Sequence, residues 1–134
     1  MKPTTLHHRA CKLLGVDPAK IRLVGPAEWQ RITGYTVSRA LGISDWKHGD
    51  RIVYVRRGSG FDTYIHEVLH HLFPSRQHRW IFAAAWKLAN VRATSYAYGY
   101  GRGFEARPSD VVESRAKLLR LAHQAAIRLS VEGD

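Results

Sequence analysis

The stretch Asp62-Thr63-Tyr64-Ile65-His66-Glu67-Val68-Leu69-His70-His71-Leu72-Phe73-Pro74 organises the reading of the whole chain. Gly58-Ser59-Gly60 breaks the segment before it, and Asp62 or Thr63 can cap a helix that Pro74 closes after Phe73. Val68, Leu69, Leu72 and Phe73 give that helix an apolar surface to bury. Residues four apart lie one turn above another on the same side, so His66 and His70 present two imidazoles to a single ion. Glu67 falls about 100° around the helix, beside such an ion rather than on it, where a base can reach ion-bound water. The bland alternative is a histidine-rich helix with ordinary surface histidines. From the chain's own composition, roughly 0.02 chance matches to His-Glu-x-x-His are expected, which favours the metal reading.

Working outward, Arg51 to Arg57 reads as a strand that alternates Ile52, Tyr54, Arg56 against Val53, Val55, Arg57. Tyr35 to Ile43 reads as its partner, joined by the polar connection Ser44 to Asp50. A shorter strand is expected at Lys20 to Val24. A first helix starts near Thr4 and ends at Gly15, with Leu6, Ala10, Leu13 and Leu14 on one face. A turn of helix follows Pro26 and stops near Gly34. After Pro74, helical spacing runs from about Arg76 to Asn90 through Trp80, Ile81, Ala84 and Leu88. Pro108-Ser109-Asp110 opens a last helix to about Leu129, with Val112, Leu118, Leu119, Ala122 and Ala126 inward. Strands first and helices after predict one α+β domain over residues 1–134, with a small antiparallel or mixed sheet followed by the motif helix, a backing helix and a C-terminal helix.

A catalytic zinc needs a third protein ligand and an open position for water. His71 lies about 100° off the ligand line. The position six residues past His70, where a third histidine is common in one HExxH class, is Arg76. Two candidates stay open. His78, beyond the Pro74 break, can fold back; Glu113, near the start of the last helix, can reach across a cleft. Asp110-Val111-Val112-Glu113 also fits a capping box, and Glu113 could pair with Lys117.

With these residues in place the chain resembles the gluzincin type of zincin metallopeptidase, particularly the single-domain minigluzincins. The resemblance covers about Arg51 to Leu121. Glu113-Ser114-Arg115-Ala116 matches the family's Glu-x-x-Ala, which implies Glu113 as third zinc ligand with His66 and His70. Thr94-Ser95-Tyr96-Ala97 matches the stretch that implies Tyr96 as the oxyanion-binding tyrosine, with Tyr98 and Tyr100 as substitutes in the glycine-rich run that follows. The implied activity is peptide-bond hydrolysis by a zinc endopeptidase with Glu67 as general base, and the strand Arg51 to Arg57 could pair with an extended peptide substrate. A rival resemblance is to SprT-like proteases acting on DNA-bound proteins. The rival from another class is a nucleic-acid-binding module with a vestigial HExxH helix.

Composition bounds these readings. The chain has 134 residues, 45% of them hydrophobic, enough for one core, and no apolar run long enough to span a bilayer. Lys and Arg outnumber Asp and Glu 21 to 11, for a net charge of +10, which admits nucleic acid as a partner. The alternative is a solvated basic surface. One cysteine, Cys11, excludes an internal disulfide, and the N-terminus lacks a signal-peptide stretch, so a cytoplasmic address is the expectation. Cys11 reads as a buried apolar group rather than a zinc-blocking thiolate. Trp80 and Trp86 read as core.

Overall fold

A computed structural model describes residues 2–47, 50–89 and 108–132. Among them the order is α1 (Pro3–Leu14), β1 (Ile21–Val24), α2 (Pro26–Thr33), β2 (Gly42–Asp45), β3 (Arg51–Val55), α3 (Phe61–Leu72), α4 (His78–Ala89) and α5 (Arg115–Glu132), with single 3₁₀ turns at Pro18–Lys20 and Pro108–Asp110. This is an α+β fold with five helices and a small mixed sheet. β3 is the central strand, parallel to β1 and antiparallel to β2.

The period of two along β3 explains its place. Ile52 and Tyr54 pack with Val24 and Trp29 on one face of the sheet. Val53 and Val55 join the main core on the other. A strand buried on both faces and paired on both edges has no edge to offer a peptide, so the expected substrate strand is not β3. The edge strand on the α3 side is β2. It begins seven residues later than the sequence pattern implied. Ser38 has φ 50°, left-handed backbone that cannot continue an extended strand, and Ala40 N–H donates to Val37 O in a turn. Ser44 and Asp45, read as a connection, instead pair with Val53 and Ile52.

α3 is the hub. Every residue from Asp62 to Leu72 except His70 is buried, because the sheet, α1, α4 and α5 all pack around it. Its cap is Gly60, not the side chain of Asp62 or Thr63, and its last residue is Leu72. α1 starts with Pro3 in its first turn and stops at Gly15. Val16 N–H donates to Cys11 O and Gly15 N–H to Lys12 O, a Schellman pair that satisfies two end carbonyls. Gly15 has φ 79°, and a Cβ there would stand 2.9 Å from the His123 ring of α5, so the stop and the α1–α5 approach both need glycine.

The C-terminal helix starts later than expected. Pro108–Asp110 makes one 3₁₀ turn, and Ser114 caps α5 by accepting from Lys117 N–H at 3.1 Å. The Asp110–Glu113 capping box is therefore not formed. Val111 is buried and Val112 is 96% exposed, the reverse of the helical register first assigned, whereas Leu118, Ala122 and Ala126 do face inward. Cys11 is fully buried beside His7, and burial pushes its thiol up to about 12, as the apolar reading required. No helix among the described residues is long and apolar enough to cross a membrane.

Candidate metal centre

Five residues, Phe73 to Gln77, connect α3 to α4 and reverse the chain into a helical hairpin. Pro74 cannot continue α3, Arg76 N–H turns back to Phe73 O, and Phe73 packs edge-on to Trp80. That reversal sets His78, the first residue of α4, against the His66/His70 side of α3. His66 Nε2 lies 3.0 Å from His70 Nε2 and 3.1 Å from His78 Nε2. One nitrogen from each ring falls within 4.8 Å of the other two. These three imidazoles are close enough to hold a metal ion. Phe82, one turn along α4 from His78, meets the His66 and His78 rings edge-on.

The electrostatics suit ligands that bind as neutral imidazoles. Burial, then the neighbouring His70 and His78, hold His66 well below its ordinary range. Burial and His78 bring His70 down to about 4, and burial lowers His78. All three are uncharged at neutral pH, so no proton competes with an ion for their lone pairs. Tetrahedral zinc with Zn–N of about 2.0–2.1 Å separates its nitrogens by roughly 3.4 Å, close to the 3.0 and 3.1 Å from His66 Nε2 to the other two.

Glu67 points from the same helix toward β2. It is buried, and burial pushes its carboxyl up to about 8, opposed by a hydrogen bond with the Ser44 side chain. Gly42 allows the approach: a Cβ at that position would lie 2.8 Å from both Cγ and Oε1 of Glu67. Gly42 and Ser44, two residues apart on β2, thus flank one carboxyl. Together with His66, His70 and His78 they line a cleft of about 330 Å³.

The structure places Glu113 elsewhere. Its main-chain carbonyl accepts from Lys87 Nζ at 2.7 Å, and Lys87 stands nine residues along α4 from His78, about 13 Å of helix rise. Among the described residues the group placed to hold an ion is His66, His70 and His78, and Glu113 is not part of it. Tyr96, Tyr98 and Tyr100 lie outside the described residues. His71 is not a surface residue. It is buried one turn past Glu67 on the sheet-facing side of α3, where burial, then the Arg51 charge, bring it down to about 4. Gly42, Ser44 and Trp46 were missed as site residues because no motif marks them. Comparison with protein-family models, with curated proteins and with solved structures found no match.

Proposed function

We propose that the chain is a zinc metallopeptidase in which His66, His70 and His78 hold the ion and Glu67 is the general base. The observation that carries this reading is the convergence of three neutral imidazoles from two helices beside one buried carboxyl, all on an open cleft. The three-histidine set departs from the glutamate ligand that the gluzincin resemblance implied, while the roles of His66, Glu67 and His70 are unchanged by that departure. Zinc bound there supplies a Lewis acid and an activated water near neutral pH.

Glu67 takes the proton from the water that attacks the scissile carbonyl and returns it to the leaving amine. Its burial gives it the proton affinity for the second step, and the Ser44 hydrogen bond favours the ionised form needed for the first. β2 is an edge strand among the described residues, and Gly42, Ile43 and Ser44 line the cleft. An extended peptide that pairs with β2 therefore lies across Glu67, a role the sequence had given to β3. Oxyanion stabilisation by Tyr96, Tyr98 or Tyr100 stays with the resemblance. The test is zinc content with cleavage of an unfolded protein substrate. One zinc per chain, retained in Glu67→Gln while cleavage is abolished, is the expected result; no transition metal after reconstitution refutes the reading.

A second reading is an SprT-like protease acting on DNA-bound proteins, a resemblance that implies a histidine as third ligand; His78 in the cluster and the net charge of +10 favour it. It predicts retention on DNA that weakens steeply with salt. Retention insensitive to salt, or none at low salt, removes it.

A further inference from the structure

Next to the metal cleft, and sharing Trp46 and Pro74 with it, lies a second pocket of about 370 Å³. It sits past the C-terminal end of α3. Three arginines from three different elements line it: Arg51 of β3, Arg76 of the α3–α4 connection and Arg128 of α5, and no carboxylate is among its lining residues. The Arg76 guanidinium carbon lies over the Trp80 ring, 4.4 Å from its centre, and a guanidinium's N–H groups suit a carboxylate acceptor. Among the described residues neither Arg76 nor Arg128 is paired with a carboxylate, and both are exposed. Main-chain carbonyls at the end of α3 place about half a negative charge nearby, which the guanidinium charges outweigh.

We infer that this pocket receives the carboxylate of an acidic side chain on the peptide lying in the metal cleft. The inference rests on the peptidase reading for the placement of the peptide. β2 carries the argument, because it leads from Gly42 and Ser44 beside Glu67 to Trp46 at the mouth of the pocket. From Ser44 to Trp46 is two residues, roughly 6–7 Å of strand. A peptide paired with β2 therefore presents a side chain to the arginines about two residues from the bond at the metal centre. Planar guanidiniums meet a carboxylate through paired charge-assisted hydrogen bonds, so the preference is for Asp or Glu over Asn or Gln.

The experiment measures equilibrium binding of two peptide pools to the zinc-loaded protein, identical except that Asp and Glu in one are Asn and Gln in the other. The acidic pool binds more tightly, by about tenfold, and the preference disappears in Arg76→Gln/Arg128→Gln. Both substituted side chains are exposed, and unchanged zinc uptake verifies the fold. Arg128→Glu alone, on a different element, weakens the acidic preference. Equal binding of the two pools, or a preference that survives the double substitution, overturns the inference. So does displacement of the acidic pool from these arginines by a single-stranded oligonucleotide that binds the zinc-loaded protein more tightly, which makes the pocket a phosphate-backbone site. Mass spectrometry of the same mixtures reports cleavage separately: cleavage without acidic preference sinks the pocket and spares the peptidase, and acidic preference without cleavage does the reverse.

Discussion

Zinc binding at pH 6 should release about one proton from Glu67. Burial holds the Glu67 carboxyl at about 8, so at pH 6 it is about 99% protonated in the metal-free protein. His66 and His70 contribute little, because His70 is brought down to about 4 and His66 well below its ordinary range, and any proton from the lowered His78 is released alike with or without Glu67. A nearby charge of opposite sign lowers a carboxyl by about 1–3 units, and a dication acts at the upper end of that range. Glu67 is then lowered and gives up most of its proton at pH 6. Water on the ion, with a pKa of about 7, adds about 0.1 proton. Calorimetric titration in buffers of different ionisation enthalpy counts the protons directly. The expected result is a release greater by about one proton per zinc in the parent than in Glu67→Gln. Equal proton counts in the two proteins would refute the placement of Glu67 as a buried acid beside the ion.

Three further outcomes follow from the geometry. His78→Ala should weaken zinc by about 3 kcal/mol, roughly 10²-fold, with little change in metal-free melting, since His78 is exposed at the start of α4; Glu113→Ala should leave zinc affinity unchanged because only its main chain is engaged by Lys87. Competition against a chelator measures both, and the opposite pattern would restore Glu113. Gly42→Ala should keep zinc but cut turnover by about 10²-fold, because its Cβ would displace the Glu67 carboxyl from 2.8 Å; unchanged kcat with normal zinc would refute it. Asp62 is buried with its carboxyl pushed from 3.8 up to about 6, chiefly by burial, so its folded form holds a proton that the unfolded chain has lost. Stability from this group is full below 3.8 and declines as pH rises through about 6, so Asp62→Asn should stabilise the protein by about 2–3 kcal/mol at pH 8 and by little at pH 3. Denaturant melts of metal-free protein at the two pH values check it, and a gain at pH 3 alone would contradict the sign.

Legibility in the sequence divided along physical lines. The motif helix could be read because His66, Glu67 and His70 depend only on helical spacing, and because Pro74 ends α3 whatever surrounds it. Gly15 and Gly34 likewise mark helix ends with φ 79° in both. The choice between His78 and Glu113 depended on tertiary geometry: how far the Phe73–Gln77 connection turns back, and which end of α4 the segment before α5 packs against. Helical spacing also misplaced Val112, since the tie from Lys87 to the carbonyls of Val111 and Glu113 holds that segment outside the helix.

β2 was misread for a reason that bears on function. Ser and Asp are poor strand formers, so Ser44-Asp45 looks like the start of a connection, and the pattern places the strand too early, over Tyr35 to Ile43. The alternation of β2 is nevertheless consistent: Ile43 packs with Val24, Trp29, Ile52 and Tyr54 on one face of the sheet, while Gly42 and Ser44 meet Glu67 on the other. A β-branched residue at 42 would raise strand propensity and collide with the Glu67 carboxyl. At 44 Val or Ile would remove the side-chain hydrogen bond that opposes the burial of Glu67. Local preference and the requirements of a buried carboxyl conflict at these two positions, and pairing with the strongly strand-forming β3 supplies the stability that β2 lacks alone. Places where a sequence breaks its local rules while the fold holds are where functional demands concentrate. Here that place is the wall facing Glu67.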